Sequence, residues 1–544
     1  MLNQATPSLD RDLRAWGALV VLPLCYVAAA LWARQAGGPF WLWYNLDPAY
    51  FYLLDALNVL NLTPPGHIYH PGTPVQWLGA LILKIASPFT GAAAITDAAL
   101  AEPEVHLRLI STVLVLLNGA ALVVLGRIGY RAFGGPAAAL LQLAPVISMV
   151  VLKNSYPVKP EALLLVTTLA LAAVSVLSLD AGLLERRRNR FAIAFGVIAG
   201  FGVATKITAL PVFLLPLFVL GGRGGRRGAF VLYGVSAAAA FILFTLPAAG
   251  SYVDMIGYFT KLSQGTGAYG GGAPGFADWD VYLKGILKLF KRPAFHVVFI
   301  LAGLILIGAW WRSRQGRPAP APEVRLLAGI WVAQLAQVLL VAKQPNAMYQ
   351  IPSFVLIPLA VVLVWRLAGG MLAGRPGAVR FLGPGLAVLL VVLVAAQGYG
   401  VSKLARQLSR DHQAALSIDN GRFGRCARIN LYASSSPSFA LMLGDYVTGS
   451  RFSERLAVLR PANDYWLEHW WDQSRLVLRG WHGPEDITRV LNRYPCVVYR
   501  GTHWRIMDRL LPEAVPGLRF DAQCKAGKET IAAAGVDCDG RAMP

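Results

Sequence analysis

NLDPAYFYLLDALNVLNLTPPGHIYHPGTPVQ, residues 45–76, places two aspartates, two histidines, five prolines and two glycines directly after the first apolar run of the chain. The run itself, Trp16 to about Arg34, is too long for a signal-peptide core and lacks a small-residue cleavage site. It reads as a retained transmembrane helix behind a short basic leader carrying Arg11 and Arg14. A polar, turn-rich segment at that point implies that something polar is wanted beside the membrane.

The rest of the chain agrees with a lipid solvent. Its 544 residues are 56% hydrophobic and 15% charged, with a mean hydropathy of +0.51, which describes a polytopic membrane protein rather than a soluble domain. The net charge of +21 gathers in short loops such as ERRRNR (185–190) and GGRGGRRG (221–228). That pattern is the positive-inside signature and excludes a nucleic-acid-binding stripe.

Apolar runs predict roughly eleven spans, near 16–34, 106–127, 136–152, 162–179, 191–205, 207–220, 228–248, 295–311, 326–342, 354–366 and 382–399. Residues 73–89 are apolar too, but a crossing there would put Arg186, Arg187, Arg188 and Arg190 outside. They are therefore expected to form a helix lying in the outer interface, with Trp77 at headgroup depth. The basic flanks of residues 191–220 should share the inner side, which requires a hairpin of two short or tilted crossings.

With the N-terminus inside, the tail lies outside. Its composition changes near residue 400, so two domains are expected: 1–400 in the membrane and 401–544 as a small α/β extracytoplasmic domain with strands at ARINLYASS and PCVVYR. Cys426, Cys496, Cys524 and Cys538 all fall in it, an even number suited to two disulfides in an oxidising compartment. Cys524 with Cys538 is the more local pairing. In WLEHWWDQ, Trp466, Trp470 and Trp471 stand either in a helix core or on a surface that stacks against sugar rings.

Candidate site residues lie in the outer loops. Asp47 and Asp55 sit eight apart, about two turns and nearly one face of a helix. Asp47 suits the cap of a helix starting at Pro48, whereas Asp55 is mid-helix and without that role. His70 is a hydrogen-bond donor for an anionic headgroup. A metal site of His67, His70 and an aspartate is the less favoured reading, since two histidines three apart in a loop are weak evidence. Further on come Lys153, Lys159 and Glu161 in KNSYPVKPEA, Lys206 in the apolar VATKITALP, and Lys343, Gln344 and Tyr349 in VAKQPNAMYQIPS. An intramembrane lysine is a functional hypothesis by default, with snorkelling as its ordinary alternative. The glycine-rich SQGTGAYGGGAPGF (263–276) has the length of a mobile lid or of a slack surface loop.

Taken in order, LDPAYFYL, HPGTPVQWLGALILKI, EPEVHLRLISTVL, VKPEALLL, GFGVATKITAL and NAMYQIPS resemble the motif series of GT-C superfamily membrane glycosyltransferases, especially the protein O-mannosyltransferase and aminoarabinose transferase group, glycosyltransferase family 39. The resemblance covers roughly residues 10–400 and not the tail. Two motifs depart from the family: Asp47-Pro48 stands where Asp-Glu is usual, and His70-Pro71-Gly72 where Lys-Pro-Pro is frequent. This leaves Asp55 or Glu161 for the second acidic role, and His70 or Lys206 for the phosphate contact.

The resemblance implies a GT-C fold and an inverting transfer of sugar from a polyprenyl phosphate to a hydroxyl of a glycan, lipid or protein, on the outer, periplasmic side of a bacterial inner membrane. Asp47, Asp55 and Glu161 are then the catalytic candidates. His70, Lys153, Lys159, Lys206, Lys343 and Tyr349 are the donor-phosphate candidates, and Tyr50 and Trp470 the acceptor contacts. No cofactor is required, and a divalent metal is not favoured. A transporter of lipid-linked sugars is the main alternative, and a scaffold whose tail binds a partner is a third.

Overall fold

The computed structural model describes residues 9–42, 49–69, 71–221, 226–317, 319–372, 382–417, 420–431, 434–468, 477–502, 508–509, 515 and 517–543. Asp47, His70 and Trp470 lie outside them. Most of the described chain is helical, with one small sheet near the C-terminus.

Among the described residues seven helices are long and apolar enough to cross a membrane: Gly17–Gly37, Pro103–Phe133, Pro160–Leu177, Arg227–Gln264, Pro293–Arg314, Ala321–Val341 and Pro384–Phe423. An eighth candidate is the pair Ala347–Val355 and Ile357–Met371, bent by 41° at Leu356. The expected spans at 136–152 and 207–220 take other forms. The first is interrupted between Gln142 and Met149, where Pro145 has no amide to give a helix and Ser148 caps a new one through its hydroxyl. The second carries Pro211 and Pro216 and folds as a 3-10 turn, Ile207–Leu214, followed by Leu215–Leu220. At about 2.0 and 1.5 Å per residue it reaches about 25 Å, less than the roughly 30 Å hydrocarbon layer. In the loop after the first span, Ala49–Leu60, Thr73–Ala86 and Ala92–Ala101 are shorter apolar helices of 10–17 residues.

The chain forms two compact units. One holds the residues up to Trp32, Ile68–Val75 and Ser111–Lys403; the other holds Ala33–His67, Gln76–Ile110 and Leu404–Pro544. The tail from Leu404 onward and most of the loop after the first span thus fall in one unit.

In the first unit, Gly196 and Gly200 let Arg188–Thr205 lie against Arg226–Thr245. A Cβ on Gly200 would stand 2.2 Å from the Ala237 carbonyl oxygen, and one on Gly196 2.6 Å from that of Tyr233. Small residues four apart are the sequence signature of such close helix crossings. This contact fixes the helix whose last residue, Thr205, precedes Lys206.

In the second unit the strands are β1 (Ala427–Asn430), β2 (Asp464–Glu468), β3 (Val477–Gly480), β4 (Gly483–Glu485), β5 (Val497–Gly501), β6 (Ala522–Ala526) and β7 (Glu529–Ala534), in the order β4-β3-β2-β1-β5-β7-β6. β2, β1 and β5 run parallel and the other pairs antiparallel. Both expected strands are present, and Trp466 lies in β2 rather than on a helix. Ile429, Leu431, Tyr465, Leu467, Val497 and Tyr499 fill one core. Cys426–Cys496 and Cys524–Cys538 are disulfide-bonded.

The loop is tied to this domain by named bonds. Asn58 Nδ2 donates to the Thr448 carbonyl (3.0 Å), Arg451 to that of Pro64 (2.7 Å) and Arg460 to that of Leu100 (2.8 Å). Leu54 packs where a side chain on Gly444 would stand.

Candidate active site

Lys206 is where Arg188–Thr205 ends. Its backbone turns extended and forms an isolated antiparallel bridge with Pro71, which stitches that residue to the lysine. The side chain is 5% exposed. Its ammonium donates to Oε1 of Glu161 and stands 5.0 Å from the centre of the Tyr349 ring. Glu161 occupies the first turn of Pro160–Leu177, where the helix dipole favours a carboxylate. Pro160 has the fixed φ of a first helical residue, and Lys159, itself buried, is the extended residue before it. A catalytic candidate, Glu161, and two donor-phosphate candidates, Lys206 and Tyr349, far apart in sequence, are thus one cluster: a buried ion pair under an aromatic ring.

Gln337 holds this cluster from the side. It is fully buried in Ala321–Val341 and its Nε2 donates to the carbonyls of Thr208 (2.5 Å) and Tyr349 (2.7 Å). The turn after Lys206 and the turn carrying Tyr349 therefore share one amide. Sequence reasoning missed it, although two glutamines three apart in IWVAQLAQVLL are the kind of intramembrane polar residue that marks a site. Gln337→Leu leaves both carbonyls without this donor, at about 1–3 kcal/mol for each dry group. The expected result is a lower thermal midpoint for the detergent-purified protein, and an unchanged midpoint would remove the clamp from the account.

Two other lysines are placed differently. Lys343 donates to the Leu262 carbonyl (2.6 Å) and lies 5.9 Å from the centre of the Phe276 ring, tying down both ends of the glycine-rich loop, and burial pulls its pKa down. Lys153 is half-buried in the last turn of Met149–Asn154.

In the second unit Asp55 is fully buried, and both carboxylate oxygens are occupied. Oδ1 accepts from Asn58 Nδ2 (3.1 Å) and the Gly66 amide (2.8 Å); Oδ2 accepts from the His67 amide (2.9 Å) and Gln76 Nε2 (2.9 Å). Gln76 also reaches the His67 carbonyl (2.7 Å), and the His67 ring stands edge-on to Phe51 and Tyr52. Burial pushes the Asp55 pKa up to about 7 against the pull of these donors. Its geometry is that of a carboxylate organising the turn at Gly66 and His67. Tyr50 is likewise fully buried, and its hydroxyl donates to Glu104 (3.0 Å), which also accepts from the Phe40 amide. Glu104, a first-turn acid in EPEVH, was not singled out in the sequence. Among the described residues no group of three histidine, cysteine or acidic side chains is placed to hold a metal ion.

No family model matches the sequence, and no curated protein matches it. Among solved structures the chain is similar to ArnT from Cupriavidus metallidurans, both in the apo state and bound to undecaprenyl phosphate. Each shows 12% identity and a TM-score of 0.47, over 94% of this chain and 97% of that one. It is also similar to an Archaeoglobus fulgidus oligosaccharyltransferase complexed with zinc and sulfate, at 14% identity and a TM-score of 0.40, over 74% of this chain. The chain spans 55% of the length of that oligosaccharyltransferase.

Proposed function

We propose that the chain is an inverting glycosyltransferase that moves a sugar from a polyprenyl-phosphate donor to an acceptor hydroxyl on the outer face of a bacterial inner membrane. The observation that carries the reading is the buried Lys206 ammonium, held by Glu161 and the Tyr349 ring and stitched through its backbone to Pro71. Of its three N–H bonds one goes to Glu161, which leaves two for phosphate oxygens. A fixed cation in dry surroundings stabilises charge that grows on a departing phosphate far more than an exposed one does. Lys159 and Lys153, on either side of the turn before Glu161, are the further cations for that charge.

In the proposed reaction Asp47 takes the proton of the acceptor hydroxyl as its oxygen bonds to the anomeric carbon. The bond from that carbon to the phosphate oxygen breaks, and its electron pair leaves with the lipid phosphate. Attack opposite the leaving group inverts the anomeric configuration. Asp55 and Tyr50, both sealed in the second unit, act in this scheme by shaping the loop rather than by touching substrate.

The test is donor consumption by purified protein in lipid, with undecaprenyl phosphate, the lipid held by one ArnT structure, as the first carrier to load with labelled sugar. Wild type should turn over, and Asp47→Asn should lose at least about a hundredfold in rate. If no donor is consumed while vesicles show lipid translocation, the chain is a transporter instead.

A further inference from the structure

A cationic cavity lies in the first unit, lined by residues other than those of the Lys206 cluster. It is a cavity of about 310 Å3 lined among others by Lys288, Leu289, Arg292, Asn346 and Gln350. Lys288 is in the last turn of Trp279–Phe290, and Arg292 is the residue on which Pro293–Arg314 starts. No side chain caps that helix start, so its positive end is not neutralised by a capping side chain. Neither cation has an ion-pair partner among the described residues. The sequence explains why: from Val281 to Pro322, and again from Val324 to Arg410, there is no aspartate or glutamate. Gln350 is fully buried, and neither its amide nitrogen nor its amide oxygen has a hydrogen-bond partner among the described residues. A dry, unpaired amide beside two unpaired cations is costly to leave empty and well suited to an anion.

The depth of the cavity says which anion. Arg292 immediately precedes a membrane-span candidate, so the cavity stands at the level where lipid headgroups lie. Trp279–Phe290 exposes Val281, Leu283 and Leu287 alongside Lys284 and Lys288, the mixture of apolar and basic side chains that seats a helix in the headgroup layer. We propose that this cavity binds the phosphate of an anionic phospholipid headgroup, gripped by Lys288, Arg292 and the Gln350 amide. Gln350 follows Tyr349 in the turn Ala347–Gln350. The lipid would thus brace from one side the turn that carries, on the other, the ring over Lys206. The site is separate from the proposed reaction and stands without it.

Native mass spectrometry of the full-length protein, stripped in detergent and titrated with dioleoyl phosphatidic acid, diacylglycerol or inorganic phosphate, tests the site. Wild type should hold one phosphatidic acid at least tenfold more tightly than diacylglycerol. Lys288→Gln with Arg292→Gln should abolish that preference, while Lys284→Gln, on the same helix but not lining the cavity, should keep it. Gln350→Leu should weaken it severalfold, and a phosphatidic-acid-dependent rise in thermal midpoint should be lost in the double variant. Equal binding of diacylglycerol, or an unaltered preference in the double variant, overturns the site. Millimolar phosphate displacing the lipid completely overturns the lipid assignment in favour of a soluble phosphate.

Discussion

Glu161→Ala should destabilise the protein by about 3–5 kcal/mol, because it leaves the buried Lys206 ammonium without its counter-ion. Lys206→Met should cost a similar amount by stranding the carboxylate. The double variant Glu161→Leu with Lys206→Met removes both charges and puts apolar volume in their place, so it should recover most of the lost stability. The cycle therefore predicts a strong favourable coupling between the two sites in denaturation free energy. Activity is expected to part from stability. The double variant folds but lacks the buried cation, and its transfer rate should stay at least about a hundredfold below wild type. A double variant that regains both stability and transfer would make the pair a structural device only. Additive losses would mean that the two groups do not meet. Tyr349→Leu, which removes the ring over the ammonium, should cost about 0.5–2 kcal/mol.

Each member of that pair was visible in the sequence, but their partnership was not. Lys206 stood out as a lysine in an apolar run and Glu161 as an acid after a proline at a helix start. Periodicity shows which residues share a face of one helix. It does not show which helix lies opposite, and 45 positions separate these two. The same limit explains the domain boundary. A change of composition near residue 400 is local and legible, whereas the attachment of the loop after the first span to the tail rests on contacts such as Asn58 with Thr448, 390 positions apart. The expected spans at 136–152 and 207–220 are not continuous α-helices: Pro145, Pro211 and Pro216 are plain in the sequence, and each removes an amide from a run whose hydropathy alone suggests a helix. Disulfide chemistry was legible from cysteine number and placement. Which of Cys426 and Cys496 meets the other follows from β1 and β5 lying side by side.

Asp55 was legible as unusual but not as to purpose, since a mid-helix aspartate looks the same whether it faces substrate or its own loop. Its titration separates the two. Burial raises its pKa from 3.8 in an open chain to about 7 in the fold, so the folded state binds this proton more tightly than the unfolded one. The resulting stabilisation is complete below about pH 4 and is lost as pH rises through 7, with a span on the order of 4 kcal/mol. Asp55→Asn cannot titrate. It also presents an amide NH2 to two of the four N–H donors that now converge on the carboxylate, and so should be the less stable protein at pH 5. The gap between wild type and variant should therefore narrow steadily from pH 4.5 to 7.5, read as the difference of their thermal midpoints in detergent. A gap that stays constant over that range, or widens, would mean that Asp55 is already ionised at pH 4.5, with its four donors outweighing burial. In that case the loop from Gly66 to His67 would be held by a permanent charge, and acid alone would loosen it.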